Sequence, residues 1–147
     1  TMEGQFPSLE RRPYENEAPI SEPPAPPAPV ALSADLAAKV AALNNRHRAA
    51  KASFDKGLLL VRSIASRAAG SAVGSEGWVN AHLELSRLDK ARADSVAVVR
   101  EYDSLIAAQG EGDSALVPLL SDAQRPVSDD VAAQNAEIER LSLLIGE

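Results

Sequence analysis

The stretch SADLAAKVAALNNRHRAAKASFDKGLLLVRSIASRAAG, residues 33–70, decides the fold. Apolar or small residues recur along it at separations of three, four or seven. They are Leu36, Val40, Leu43, Ala50, Phe54, Val61, Ile64 and Ala68. This spacing places them on one face of a helix that begins after Ser33, a good N-cap, and ends near Gly70. About 36 helical residues would span roughly 54 Å, so the helix needs a partner along its length.

The partner is predicted in residues 75–109, which carry an apolar face at the same spacing. That face consists of Trp78, Ala81, Leu85, Leu88, Val99, Tyr102 and Ile106. Because only residues 69–74 separate the two stretches, we expect antiparallel neighbours that form a long helical hairpin with coiled-coil spacing.

Arg92 and Ser95 interrupt this second face. One interpretation is a buried polar site for a ligand. The other is a slight rotation of the helix that brings Ala91 and Val96 inward and lets Arg92 reach water. We favour the rotation.

The remainder of the chain predicts a third helical segment. Pro118 is compatible with the first turn of a short helix, and residues 128–130, Ser-Asp-Asp, form a strong start for a further helix. Its apolar face is Val131, Gln134, Ile138, Leu141 and Ile145. We expect it to lie across the open end of the hairpin and to leave the end near Gly70 only two helices thick. The predicted fold is all-α, a three-helix bundle in residues 33–147.

Residues 1–32 have a different composition and are predicted to be an extended tail. Six of the ten prolines fall between Pro19 and Pro29, where they favour polyproline II over helix or sheet. We interpret this segment as a semi-rigid spacer of roughly 3.1 Å per residue, in preference to a ligand for a proline-binding domain.

The segment QFPSLERRP, residues 5–13, resembles the early mature region of small envelope lipoproteins from α-proteobacteria. In those proteins a Pro-Ser-Leu and a later Arg-Pro follow the acylated cysteine. The resemblance implies a location in the bacterial cell envelope, periplasmic and lipid-anchored, in preference to the cytoplasm. The chain contains no cysteine and begins Thr1-Met2, so we expect any signal and anchor to have been upstream.

Composition excludes several classes of function. Without cysteine there are no disulfides, thiolate metal sites or cysteine nucleophiles. Residues 58–61 are the longest run of large apolar residues, well short of the roughly 20 that span a bilayer. Residues 33–70 hold seven Lys or Arg against two Asp, yet the whole chain has a net charge of −6 and few aromatics for base stacking. We therefore expect no nucleic-acid partner.

The sequence predicts no catalytic, cofactor or metal site, and we expect a protein that is not an enzyme. The two histidines, His47 and His82, should lie far apart along the hairpin and cannot share a metal. His47 occupies a core-type position, where an imidazole is typically packed and hydrogen-bonded. Ser53 and Lys56 match an S-x-x-K pattern but lack the other elements of serine acylases.

The candidate functional residues are Leu58, Leu59, Leu60 and Val61. Four consecutive large apolar residues point about 100° apart on a helix and cannot all face one neighbouring helix. We therefore predict that they contact a protein partner or a second copy of the chain. The function this favours is a non-enzymatic helical interaction or structural module, tethered through its tail. The alternative is a bundle that binds a small molecule or lipid in a cavity among its many alanines and glycines.

Overall fold

A computed structural model of the chain describes residues 30–110, 112 and 114–146 as three helices. They are α1, Ala34–Ala68, α2, Glu76–Ala107, and α3, Leu116–Ile145. The described residues contain no strand, which confirms the all-α prediction. Residues 1–29 of the predicted tail, which include the lipoprotein-like segment, lie outside the described residues.

The hairpin of α1 and α2 forms as the sequence predicts. Ser33 and Ser75 are the N-caps, and their hydroxyls accept the backbone N–H of Leu36 and Trp78 at 3.1 and 3.3 Å. The turn between the helices contains Gly70, whose φ of 84° is one that residues with a Cβ rarely adopt. We call the end of the bundle at this turn the hairpin end, and the end where α1 begins the open end.

The third helix differs from the prediction. We expected two segments, one starting near Pro118 and one at residues 128–130, but α3 is one helix of 30 residues with Pro126 in its interior. Buried residues recur every seven positions at Leu120, Val127, Gln134 and Leu141. Packing along this seam offsets the roughly 3 kcal/mol that an internal proline costs a helix.

The position of α3 corrects the expectation that it lies only across the open end. It runs beside both hairpin helices and reaches the hairpin end. There, the Trp78 indole N–H donates to the carbonyl oxygen of Gly146 at 3.1 Å. The bundle is therefore three helices thick at the hairpin end as well.

The core forms two hydrophobic clusters. The cluster at the hairpin end is built around Phe54, Val61, Leu88 and Leu141, and the cluster at the open end around Leu36, Val40, Val98, Tyr102 and Leu120. All eight apolar residues predicted on the face of α1 are buried. The level between the clusters is polar.

Candidate functional site

The polar layer consists of one residue from α1, one from α2 and two from α3. His47 Nδ1 lies 2.9 Å from Ser95 Oγ, and His47 Nε2 lies 2.7 Å from Asp130 Oδ2. Gln134, one helical turn after Asp130, completes the layer and is 4% exposed. The imidazole of His47 therefore connects all three helices at one level.

Hydrogen-bond chemistry determines the tautomer of this histidine. An ionised Asp130 carboxylate only accepts, so Nε2 of His47 must carry a proton and donate to it. In the neutral imidazole, Nδ1 then accepts from the Ser95 hydroxyl. In the imidazolium, Nδ1 donates and the hydroxyl becomes the acceptor, because a serine oxygen does both. Both protonation states of His47 thus keep both hydrogen bonds.

Serine, histidine and aspartate are also the residue types of acyl-transfer triads. Their burial here limits that chemistry, since Ser95 is 0% exposed and His47 only 7%. A substrate carbonyl cannot reach Ser95 Oγ in this arrangement. The geometry suits a polar connection between helices, and it confirms the prediction that His47 is packed and hydrogen-bonded.

The expected rotation of α2 is found only in part. Ala91 is buried as expected, but Ser95 is buried as well, while Val96 is only partly buried. Ser95 remains inside because His47 offers it a hydrogen-bond partner. Arg92 does reach the surface, where it contacts Asp89 at 2.9 Å.

The side-chain amide of Gln134 has no hydrogen-bond partner within the described residues, at either its nitrogen or its oxygen. A buried polar group without a partner costs about 1–3 kcal/mol. Leucine or isoleucine at this position would extend the apolar seam of α3. Gln134 therefore lowers the stability of the bundle.

The second histidine belongs to the hairpin end. His82 Nε2 lies 2.9 Å from the carbonyl oxygen of Gly146, and its ring centroid lies 4.2 Å from that of Trp78. The two histidines are thus on different levels of the bundle, as predicted. Within the described residues no three His, Cys, Asp or Glu side chains are grouped as metal ligands would be.

The predicted interaction residues of α1 divide between core and surface. Val61 is 1% exposed, and Leu58 packs partly buried against the cluster at the hairpin end. Leu59 and Leu60 are 70% and 49% exposed. Of the four, only these two can meet another molecule.

Exposed large apolar residues concentrate at the hairpin end. Eight are found in the described part of the chain, and all except Val30 lie in the half of the bundle nearest the turn. These seven, which we call the apolar band, are Leu59, Leu60, Val73, Val79, Leu83, Leu143 and Leu144. They come from all three helices and the turn.

Sequence reasoning missed five members of this band. Val79 and Leu83 are four residues apart on α2, off the buried face that contains Ala81 and Leu85. Leu143 and Leu144 directly precede Ile145, the last residue of the predicted apolar face of the third helix. The signal in the sequence was the pair Val79 and Leu83, two apolar residues one turn apart on the side of α2 that does not face the core.

The grooves on this surface are open to solvent. One lies between α1 and α2, has a volume of about 400 Å³, and includes Gly57, Leu60, Glu84 and Leu88 in its lining. Ser53 and Lys56 of the S-x-x-K pattern lie in the same groove, beside Arg87. An open groove of this kind fits another protein surface better than it encloses a small molecule.

Among the described helices, none has an apolar stretch that would cross a bilayer. A comparison of the chain with protein-family models, with curated proteins and with solved structures finds no match.

Proposed function

We propose that the chain is a non-enzymatic helical interaction module that binds a protein surface through its apolar band. The concentration of exposed large apolar residues at one end of the bundle carries this proposal. Single exposed leucines are ordinary on a protein surface, whereas seven exposed large apolar residues within one half of a small bundle are a concentration typical of interaction surfaces.

The position of the band supports the proposal further. The cores of both halves are well buried, so Leu59, Leu83 and Leu143 are not needed to fill them. Each points away from the packed face of its own helix. Exposing them costs solubility, and contact with a partner would recover the free energy of removing them from water, about 25 cal/mol per Å².

Site-specific photo-crosslinking would test this function. A photoreactive amino acid placed at Leu59 or Leu143 should form polypeptide adducts in cells that express the chain. The same amino acid at Ala37 or Ala41, exposed positions near the open end, is the matched control. Absence of adducts from the band, or equal adducts from both ends, would contradict the proposal.

We further infer that the module is tethered in a bacterial cell envelope. The support is the proline-rich composition of residues 1–32 and the lipoprotein-like segment at residues 5–13. The codons upstream of Thr1 test this directly. A signal sequence ending in a cysteine is the expected finding, and an ordinary soluble start would overturn the inference.

A further inference from the structure

A continuous groove follows the line where α1 and α2 pack together. It consists of three open depressions with volumes of about 370, 310 and 400 Å³, in order from the open end to the hairpin end. The first two share Arg46 in their linings, and the second and third share Ser53. Lys39, Arg46, Ser53 and Leu60 line it at intervals of seven residues, which places them on one side of α1. We call this surface the α1–α2 groove.

Leu32 shows which side of the segment that enters α1 faces the bundle. It packs partly buried against the cluster at the open end, whereas Val30 is 51% exposed. Leu43, a buried member of that cluster, and Leu105, which packs against it, also line the first part of the α1–α2 groove. Leu32 therefore rests on the same cluster that forms the floor of the groove at the open end.

The residues before Leu32 carry an apolar stripe with a period of three. Counting back in threes from Leu32 gives Pro29, Pro26, Pro23 and Ile20, all apolar. Polyproline II has three residues per turn, so a helix of this kind that continues from Leu32 would place the whole stripe on the bundle side. Pro29 and the residues before it precede the described part of the chain.

The length of this stripe matches the length of the groove. Twelve residues separate Ile20 from Leu32, which is about 37 Å at 3.1 Å per residue. Leu60, at the far end of the groove, lies about 39 Å from Ala34 at 1.5 Å per residue. Ile20 would therefore reach the level of Leu60.

The two walls of the groove differ in charge. The ionic residues of the α1 wall are Lys39, Arg46 and Lys56. Those of the α2 wall are Glu84, Arg87, Asp94 and Glu101. Of these seven, only Lys56 has no ion-pair partner within the described residues. Glu22 is the one charged residue of residues 20–32, and about 31 Å of extended chain would bring it to the level of Lys56.

Hydrogen-bond chemistry gives a second match. Proline has no backbone N–H, so a proline-rich segment offers carbonyl acceptors that no internal hydrogen bond uses. Lys56 and Ser53 present donors along the α1 wall. The ion pair of Arg46 with Glu101 crosses the groove, and both side chains are about half exposed, so a docked segment would lie over it.

We propose that residues 20–29 dock in the α1–α2 groove as a polyproline II helix antiparallel to α1, with Ile20 against Leu60 and Glu22 beside Lys56. The occupant is a segment of the same chain. This inference goes beyond the proposed function, since only Leu60 of the groove belongs to the apolar band. The interpretation of the tail as a spacer then applies to the residues before Ile20, which would leave the bundle near the hairpin end.

Paramagnetic broadening of amide NMR signals tests the course of the segment in the full chain. The chain has no cysteine, so Ser21→Cys carries a nitroxide at one site, next to Ile20 but off the apolar stripe. Docking predicts loss of the amide signals of Gly57 and Leu60, with Leu143 on α3 broadened less. A nitroxide on Ala31→Cys is the matched control, because Ala31 is exposed at the open end and should broaden signals only there.

Substitutions in the segment test the stripe. Ile20→Glu should lower the docked population about tenfold or more and restore the Leu60 signal, since it removes the large aliphatic anchor. Ala25→Glu is the matched control, because Ala25 lies off the stripe, and it should leave the broadening unchanged.

A charge exchange tests the contact with the α1 wall. Lys56→Glu should lower the docked population severalfold, because a like charge then meets Glu22, and adding Glu22→Lys should restore it. Lys51→Glu should have no effect, because Lys51 pairs with Asp55 and lies outside the groove lining.

Three results would overturn the inference. The first is broadening by the Ser21→Cys nitroxide that is confined to the open end. The second is broadening of Leu143 as strong as that of Leu60, which would mean contact with the apolar band in place of the groove. The third comes from mixing a ¹⁵N-labelled chain without nitroxide and an unlabelled chain with it. Broadening that needs this mixture would show that the segment docks on a second copy.

Discussion

The two halves of the bundle bury similar side chains but present different surfaces to solvent. At the open end, the outer faces of the helices bear ion pairs such as Lys39 with Asp35 at 3.6 Å and Arg46 with Glu101. At the hairpin end, ion pairs such as Arg62 with Glu137 at 3.3 Å are accompanied by the seven exposed leucines and valines of the apolar band. Because the cores on both sides of the polar layer are equally well buried, the difference does not arise from poor packing. Exposure of apolar residues at one end is a property of the surface, and the proposed function rests on it.

The largest expected effect is on the free energy of unfolding, and it separates two leucines of α3 at the hairpin end. Leu141 is 0% exposed and Leu143 is 78% exposed. Leu141→Ala should lower the free energy of unfolding by about 2–5 kcal/mol, since it leaves a cavity in the core. Leu143→Ala should change it by less than about 0.5 kcal/mol.

Urea-induced unfolding followed by circular dichroism measures both changes. Equal losses for the two variants would mean that Leu143 is covered within its own chain, and the distinction between core and apolar band would then be wrong.

An intermediate effect is expected in the polar layer that separates the two halves. Gln134→Leu keeps a similar volume and removes the unpaired amide, so it should raise the free energy of unfolding by about 1–3 kcal/mol. Ser95→Ala should lower it by a similar amount, because His47 Nδ1 loses its partner. Chemical denaturation of the two variants beside the parent checks both signs. A destabilised Gln134→Leu protein would show that the amide has a partner.

The smallest expected effect is on stability at alkaline pH, through Tyr102 at the open end. Burial raises the pKa of Tyr102 above its usual value, against a smaller lowering by its hydrogen bond with Asn44. The unfolded chain ionises this phenol near pH 10, before the folded chain does. Stability from this residue is therefore complete below about pH 10 and is lost as the pH rises through the folded pKa.

Tyr102→Phe should remove this part of the alkaline loss, and thermal unfolding at a series of pH values measures it. The slope of stability against pH above about pH 10 should be smaller in Tyr102→Phe than in the parent. An unchanged slope would contradict the assignment. Since Tyr102 packs in the open-end cluster, the apolar band should be unaffected.

The helical hairpin could be predicted because its signal is periodic and local. Every α1 residue from Leu36 to Ala68 on the predicted face is buried, and both serine caps form. The extent of α3 could not be predicted in the same way. Pro126 is a local signal against a helix, and only contacts with α1 and α2, far away in sequence, outweigh it.

The polar layer was harder to predict for a related reason. In the sequence, Ser95 interrupts the apolar face of α2 and His47 occupies a core-type position of α1, but the pattern of neither helix shows that the two residues lie at the same level. Asp130 was interpreted as part of a helix start, although it lies within α3 and accepts from the imidazole. The role of each of these residues depends on which residue of another helix it contacts. The periodicity of a single helix carries no information about those contacts.

The hydrogen bond from Trp78 to the Gly146 carbonyl gives the molecule a spectroscopic probe at one known place. Trp78 is the sole tryptophan of the chain, and it lies between the start of α2 and the end of α3. Its fluorescence should therefore follow the docking of the last turn of α3. A shift in emission that precedes the loss of helical signal would reveal fraying of that turn while the open end is still folded.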